Sequence, residues 1–171
     1  MESSLNFSFP GLASVVDRWR MPTVDSARCG AMPHVSLLYP WAVPPADGAL
    51  VDRLRQAVDG FGPLEVTFSA VCRFPAVVWL RPEPEAEIRA LARSLAKRFP
   101  EYPPYGGLYP DPQPHLTVAV SDDPDLLDVI EGEVRSAVDL GSLSTVVTTV
   151  DIAERSLDRQ WTVRTRIPLG R

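Results

Sequence analysis

The sequence predicts an α+β fold made of two similar halves, and three observations lead to this prediction. The chain has 171 residues and two histidines, and both histidines lie in the pattern proline, histidine, apolar, hydroxyl, apolar. The second pattern, Pro114–Val118, begins about half a chain length after the first, Pro33–Leu37. In both halves the hydrophobic periodicity indicates the order strand, helix, histidine-bearing strand, helix, strand.

Five elements are predicted in the first half. They are a strand at Leu5–Phe9, a helix at Leu12–Arg20, a strand around His34, a helix at Asp47–Asp59 and a strand from Gly62 to Phe74. The helix at Asp47 has a favourable start, because an aspartate there can accept hydrogen bonds from free backbone N–H groups.

The second half repeats this order and adds a final strand. Its elements are a strand at Ala76–Arg81, a helix at Glu85–Phe99, a strand around His115, a helix at Asp125–Val138, a strand opened by Gly141-Ser142-Leu143 and a strand at Gln160–Pro168. In the first of these helices, apolar residues recur close to every 3.6 positions. A Gly-x-Leu triplet follows each histidine strand at a similar distance, which supports an internal repeat.

A proline-rich segment, Phe99–Pro114, leads into the second histidine. It holds six prolines and three tyrosines, so it can be neither a helix nor a central strand. We predict an ordered loop with one of two roles. Either it forms a wall of a cleft, with Tyr105 or Tyr109 available to stack on a base, or it is a stiff connection whose tyrosines pack on the surface.

Each histidine shares a strand face with a hydroxyl group. Because successive side chains of a strand alternate, His34 and Ser36 point to one side, and so do His115 and Thr117. The intervening apolar residues would face a core. Since every histidine in the chain meets this condition, chance is a poor explanation. Two such strands facing each other would form a site with two titratable groups and two hydroxyl donors.

Two imidazoles suit acid–base chemistry on a phosphodiester. A neutral histidine can take a proton from the attacking water or hydroxyl while a protonated one donates to the leaving oxygen. Ser36 and Thr117 would donate hydrogen bonds to the non-bridging oxygens, and this chemistry requires no metal. A zinc site is a weaker alternative, because zinc usually has three or four protein ligands and neither motif contains a cysteine or carboxylate. A Ser36 nucleophile is weaker still, since His34 lies beside it on the same strand.

Bulk composition limits the partners. The formal net charge of −5 disfavours binding to long nucleic acid, which depends on dense positive charge. A hydrophobic content of 45% and a mean hydropathy of −0.02 are typical of a globular protein. Cys29 and Cys72 form no disulfide framework, and neither a signal peptide nor a membrane-length apolar run is visible. We therefore expect a cytoplasmic protein with reduced thiols and no membrane partner.

The two motifs, His34-Val35-Ser36-Leu37 and His115-Leu116-Thr117-Val118, resemble those of the 2H phosphoesterase superfamily, in particular its 2′-5′ RNA ligase-like branch. The resemblance covers essentially the whole chain. It implies metal-independent opening of 2′,3′-cyclic phosphates or related cyclic phosphodiesters, or 2′-5′ joining of RNA ends. It also implies that the two histidines are catalytic and that Ser36 and Thr117 bind phosphate.

The resemblance suggests further substrate-binding residues. Members of this branch often have an aromatic ring five residues after the first histidine, packed on the base, and Tyr39 falls there. After the second motif the same offset often holds a phosphate-binding arginine, but this chain has Val120. Another arginine near a strand end could substitute, namely Arg73, Arg155 or Arg159, although each also suits a solvated surface. We expect Trp41, Trp79 and Trp161 in the core or at the rim.

The sequence therefore predicts one bilobal domain over residues 1–171, with lobe-like repeats at about 1–74 and 75–171. Each lobe would be a mostly antiparallel sheet with flanking helices, and the two would enclose a central cleft. We expect a monomeric enzyme without a cofactor, acting on a small cyclic nucleotide or an RNA end. The alternative is a binding module that holds a nucleotide or RNA end without turning it over.

Overall fold

An eight-stranded antiparallel sheet dominates the computed structural model, which describes residues 1–109 and 111–170. The strands are β1 (Glu2–Ser8), β2 (His34–Leu38), β3 (Leu64–Phe74), β4 (Val77–Glu83), β5 (Leu116–Val120), β6 (Ser144–Val147), β7 (Thr149–Arg155) and β8 (Trp161–Pro168). Their order across the sheet is β6-β3-β4-β5-β2-β1-β7-β8. The two histidine motifs therefore lie on or beside the two central strands.

In the part of the chain that the structure describes, five α-helices accompany the sheet. They are α1 (Ala13–Thr23), α2 (Asp25–Arg28), α3 (Gly48–Val58), α4 (Glu85–Arg98) and α5 (Pro124–Ala137). Asp47 caps α3 by accepting a hydrogen bond from the Leu50 amide at 2.7 Å, as its position predicted. Within residues 1–109 and 111–170, none of the helices is long and apolar enough to cross a bilayer.

The two predicted repeats do not form separate sheets. In one half of the sheet β2 pairs with β1, β1 with β7 and β7 with β8, while in the other half β3 pairs with β4 and β6. Each half of the sheet thus contains strands from both parts of the chain. The predicted α+β class with two similar sheet-and-helix halves is confirmed, and the division into repeats at 1–74 and 75–171 stays a prediction.

One face of the sheet carries the hydrophobic core. Val35 and Leu37 of β2 and Leu116 and Val118 of β5 are buried there, as the strand alternation predicted. The four longer helices, α1, α3, α4 and α5, contribute buried side chains to the same core. The opposite face is left for polar side chains, including those of the histidine motifs.

Three differences from the predicted elements follow from strand pairing or from element length. The first strand runs over Glu2–Ser8 rather than Leu5–Phe9, because pairing with β7 continues to its beginning. The single strand expected from Gly141 is instead a 3₁₀ turn followed by β6 and β7, since the chain changes pairing partner from β3 to β1. The four-residue helix α2 was not predicted, because it is too short to show a helical period.

Candidate active site

The histidine motifs meet at the centre of the sheet. Val35 of β2 is the antiparallel register partner of Leu116 of β5. Continuing this register by one residue in each direction places His34 beside Thr117 and His115 beside Ser36. All four side chains lie on the face opposite the core, where directly opposed Cβ atoms are about 4.5–5.5 Å apart. Each histidine is therefore next to the hydroxyl of the other motif.

Both imidazole rings are held by the same local hydrogen bond. The Nδ1 of His34 lies 2.7 Å from the carbonyl oxygen of Met32, and the Nδ1 of His115 lies 2.7 Å from that of Gln113. A carbonyl oxygen only accepts, so each Nδ1 carries the proton and donates it. In the neutral ring this leaves the Nε2 lone pair for a substrate.

The environment keeps both rings neutral. The pKa of His34 is lowered to about 4, mainly by burial and also by the positive charges of Arg20 and of a protonated His115, against the opposing effect of the Met32 hydrogen bond. Burial also lowers the pKa of His115, against the effect of the Gln113 carbonyl. At pH 7 the site therefore contains two proton acceptors.

An aromatic wall encloses His115. The rings of Phe74 and Trp79 stack on each other, with 4.7 Å between their centroids. Both rings also contact the His115 imidazole edge to face, at centroid distances of 5.3 Å from Phe74 and 6.0 Å from Trp79. Trp79 is also the register partner of Thr117 on the neighbouring strand. These apolar neighbours account for the burial that lowers the pKa of His115.

A buried arginine supports the segment before His34. The Arg20 side chain is 2% exposed, forms an ion pair with Asp17, and donates to the carbonyl oxygen of Ala31 at 3.0 Å. Ala31 precedes Met32, whose carbonyl holds the His34 ring. Arg20 thus fixes the loop that orients His34 and places a positive charge near the imidazole.

A cavity of about 300 Å³ opens in front of the motifs, and we call it the cleft. Both histidines and both motif hydroxyls line it, together with β1, the segment before β2, and the start of β8. The lining side chains that can donate or accept hydrogen bonds are Ser4, Asn6, Ser8, Ser26, His34, Ser36, Tyr39, Tyr105, His115, Thr117, Trp161 and Thr162. This volume is at the small end of ligand-binding cavities.

Aromatic side chains form the mouth of the cleft. The Tyr39 ring lies 6.0 Å from that of Tyr105 and 6.5 Å from that of Trp161. The Tyr105 amide donates to the Tyr39 carbonyl at 2.6 Å, which ties the proline-rich loop to the end of β2. Tyr105 of this loop therefore lines the cleft, and the role of the loop as a whole stays a prediction.

An ion pair holds the Tyr39 hydroxyl. Tyr39 donates to Glu2 at 2.7 Å, and Glu2 also pairs with Arg155 at 2.5 Å. The pKa of Tyr39 is raised to about 12, mainly by burial and also by the Glu2 carboxylate. Burial by itself would raise the pKa of Glu2, but the hydrogen bonds from Arg155 and Tyr39 outweigh it and lower that pKa.

Six of the nine site residues predicted from the sequence line the cleft: His34, Ser36, Tyr39, Tyr105, His115 and Thr117. Tyr109 lies farther out, 61% exposed, with its ring 5.7 Å from that of Tyr105. Arg155 is paired with Glu2 behind the mouth. Arg73 is not among the lining residues, because it forms ion pairs with Asp128 and Glu131 of α5 at 3.0 and 3.1 Å.

Several site residues were not found by sequence reasoning. Ser4, Asn6 and Ser8 alternate along β1 with the buried Leu5 and Phe7, so they face the cleft. That alternation was the available signal, but the partner strand of β1 was not known. Trp161 lies at the rim as expected, and Trp41 and Trp79 are buried. Within 1–109 and 111–170, no three histidine, cysteine or acidic residues are grouped as metal ligands.

Solved structures with the same architecture include Escherichia coli LigT in complex with 3′-AMP, at a TM-score of 0.59 and 16% identity over 99% of this chain and 98% of LigT. A phosphoesterase matches at 0.57 and 17% identity, and TT0787 of Thermus thermophilus at 0.54 and 16%, each over 99% of both chains. At these identities the likeness shows a shared fold. No curated protein sequence matches the chain significantly.

The fold and the paired motifs define a protein of the 2H phosphoesterase class, as the resemblance of the motifs predicted. The model of the 2′-5′ RNA ligase superfamily matches residues 9–159, and the chain belongs to this superfamily. The match begins after β1, so it includes both histidine motifs but not the β1 residues that line the cleft.

Proposed function

We propose that this protein opens 2′,3′-cyclic phosphates of nucleotides or RNA ends by two-histidine acid–base catalysis. One observation carries the proposal. His34 and His115 have equivalent Nδ1 hydrogen bonds to backbone carbonyls, which leave both Nε2 atoms for a ligand in the same cleft. The motif hydroxyls of Ser36 and Thr117 lie beside them as neutral donors.

The reaction needs one neutral and one protonated histidine. The bound phosphodiester anion favours protonation of a nearby imidazole and so opposes the effect of burial, which lowers the pKa of both histidines. The neutral histidine takes a proton from water as the water oxygen bonds to phosphorus. The bond from phosphorus to one ribose oxygen breaks, and the protonated histidine donates its proton to that oxygen. The product is a phosphomonoester.

The surroundings of the two imidazole rings differ, and this difference assigns their roles in hydrolysis. The positive charge of Arg20 favours the neutral form of His34, whereas the neighbours of His115 are uncharged aromatic rings. His34 would then act as the base and His115 as the acid. With an RNA 5′-hydroxyl in place of water, the same pair would join ends through a 2′-5′ linkage.

The test is turnover of nucleoside 2′,3′-cyclic phosphates in EDTA by the parent, His34→Ala and His115→Ala. We expect product with the parent and a loss of at least about 100-fold in each variant, since a positioned acid or base contributes about 10²–10⁴-fold. Circular dichroism and thermal unfolding control for folding. Full activity in either variant would refute the proposal, and nucleotide binding without turnover by the parent would favour a binding module.

Ser36→Ala and Thr117→Ala provide a graded comparison. Each removes one neutral donor but leaves both proton-transfer groups, so we expect a smaller loss of activity than in the histidine variants.

The two free thiols, Cys29 and Cys72, suit the reducing conditions of the cytoplasm, where we propose that the protein acts as a monomer.

A further inference from the structure

Asn6 is a buried polar residue in the wall of the cleft. Its side chain is 4% exposed, and it is one of the residues that line the cleft. In the antiparallel pairing of β1 with β2, Asn6 is the register partner of Ser36. The carboxamide and the motif hydroxyl are therefore cross-strand neighbours on the cleft face, where directly opposed side chains are in contact range.

The Asn6 carboxamide has a defined orientation. The Ser4 hydroxyl, on the same strand face, donates to Asn6 Oδ1. The amino group, Nδ2, is then the part of the side chain left to face a ligand. Within residues 1–109 and 111–170 it donates to no protein acceptor, and it is not one of the fully buried polar atoms without a partner, so it is open to the cleft. A donor that the protein leaves unengaged at the wall of the cleft is available to an acceptor supplied there.

The neighbour on the other side does not need this donor. Asp151 of β7 is the second register partner of Asn6 and is also buried. Its Oδ1 accepts from the Thr149 hydroxyl at 2.8 Å and lies 3.7 Å from the Arg166 guanidinium. Asp151 thus has a hydrogen-bond donor of its own, and among the described residues no hydrogen bond joins it to Asn6 Nδ2.

We propose that Asn6 is a third phosphate-binding residue, whose Nδ2 donates to a non-bridging oxygen of the phosphodiester beside Ser36. This inference rests on the proposed function and names the substrate charge that the site prefers. Asn6, Ser36 and Thr117 form a set of neutral donors. The arginines predicted to bind the substrate are engaged elsewhere, Arg155 by Glu2 and Arg73 by α5, and Arg20 is paired with Asp17.

A neutral donor set suits a singly charged cyclic phosphodiester. Ring opening produces a phosphomonoester that carries close to two negative charges at pH 7. Charge-assisted contacts from arginine or lysine would hold that product more strongly than the substrate. Hydrogen bonds from an amide and two hydroxyls can bind the substrate without favouring the dianionic product to the same extent.

The experiment compares kcat/KM of the parent, Asn6→Ala and Asn6→Asp for adenosine 2′,3′-cyclic phosphate. We expect kcat/KM to fall by about 10- to 100-fold in Asn6→Ala, the range for removing one hydrogen bond to a charged group. Asn6→Asp has nearly the same shape but places a carboxylate beside the phosphate. Its loss should be larger than that of Asn6→Ala.

Ser3→Ala is the matched control. Ser3 lies on the same strand and is equally buried, but its hydroxyl donates to the Ala42 carbonyl at 2.6 Å, on the other face of the sheet. We expect Ser3→Ala to lower thermal stability and to keep the parental kcat/KM. If Asn6→Ala stays within twofold of the parent in kcat/KM, or Ser3→Ala loses as much activity, the inference is overturned.

Failure of the proposed function gives a separate result. If the parent turns over no cyclic phosphate, binding of 3′-AMP is measured by calorimetry for the parent and Asn6→Ala. Weaker binding to the variant by about tenfold supports the phosphate contact in a non-catalytic site. Equal binding, or no binding to the parent, overturns it.

Discussion

Val35 of β2 lies directly opposite Leu116 of β5, and this pairing joins the two halves of the sheet. Both residues follow a histidine, so the same register that buries them places His34 beside Thr117 and His115 beside Ser36. A shift by one residue would turn one motif into the core, because strand side chains alternate. Burial of two apolar residues therefore fixes the geometry of four polar ones, and neither motif alone provides a complete site.

Acid should destabilise the protein through His34. Its pKa is lowered to about 4 in the folded protein but is near 6.5 in an unfolded chain. Between these values the unfolded chain binds more protons, so the contribution of His34 is complete above pH 6.5 and falls as the pH drops toward 4. We expect the free energy of unfolding to fall by about 1–2 kcal/mol between pH 7 and pH 5 from this residue. Urea denaturation at the two pH values measures it.

His34→Asn separates this effect from other titrations. Asparagine can still donate to the Met32 carbonyl but does not titrate, so the variant should lose less stability between pH 7 and pH 5. Carboxylates with lowered pKa values, such as Glu85 and Glu131, lose their contributions mainly at more acidic pH. An identical pH dependence in parent and variant would contradict the prediction.

The Tyr39 ring and its hydroxyl should contribute differently to substrate binding. The hydroxyl is engaged by Glu2, whereas the ring faces Tyr105 and Trp161 at the mouth of the cleft. We expect Tyr39→Ala to raise KM about tenfold through loss of stacking on a base. Tyr39→Phe keeps the ring and should stay within about threefold of the parent. If both variants raise KM equally, the hydroxyl rather than the ring is important.

The histidine strands could be predicted from local sequence because one alternating pattern determines both their core and their polar face. The same holds for α3, whose start and end follow its capping aspartate and hydrophobic period. The motif residues belong to these local patterns, whereas Tyr39 was predicted from the family resemblance, by its position five residues after His34. Their placement in one cleft follows from any fold in which the two strands are neighbours.

The rest of the site depends on strand order, which the sequence does not display. Phe74 of β3 reaches His115 because β4 and β5 are neighbours in the sheet, and Asn6 reaches Ser36 because β1 pairs with β2. Trp161 contributes to the mouth of the cleft because β8 lies in the same half of the sheet as β1 and β2. The role of Arg73 was also decided by tertiary packing, since α5 brings two carboxylates to it.

Arg73 should stabilise the fold without affecting the substrate. We expect Arg73→Gln to lower the free energy of unfolding by about 1 kcal/mol, because its pairs with Asp128 and Glu131 are only partly shielded from water. The KM for a cyclic nucleotide should not change. Denaturation and steady-state kinetics on the same preparation check both parts, and an increase in KM at parental stability would place Arg73 in substrate binding instead.

Arg20 should influence both the stability of the protein and the protonation of His34. Arg20→Met removes a buried cation and its hydrogen bond to Ala31, and it leaves Asp17 unpaired at partial exposure. We expect a loss of about 2–4 kcal/mol in the free energy of unfolding, as for other disrupted buried pairs. Burial is the main cause of the low pKa of His34, and the positive charge of Arg20 lowers it further, so removal of that charge should raise this pKa.

A proton NMR titration measures the second effect directly, since the chain has two histidines and His115→Ala assigns their signals. Arg20→Lys is the matched control. Lysine keeps the charge but cannot hold Asp17 and the Ala31 carbonyl with one planar group. We expect it to lose stability while the pKa of His34 stays close to that of the parent. A parental His34 titration in Arg20→Met would mean that burial alone, without the Arg20 charge, keeps this histidine neutral.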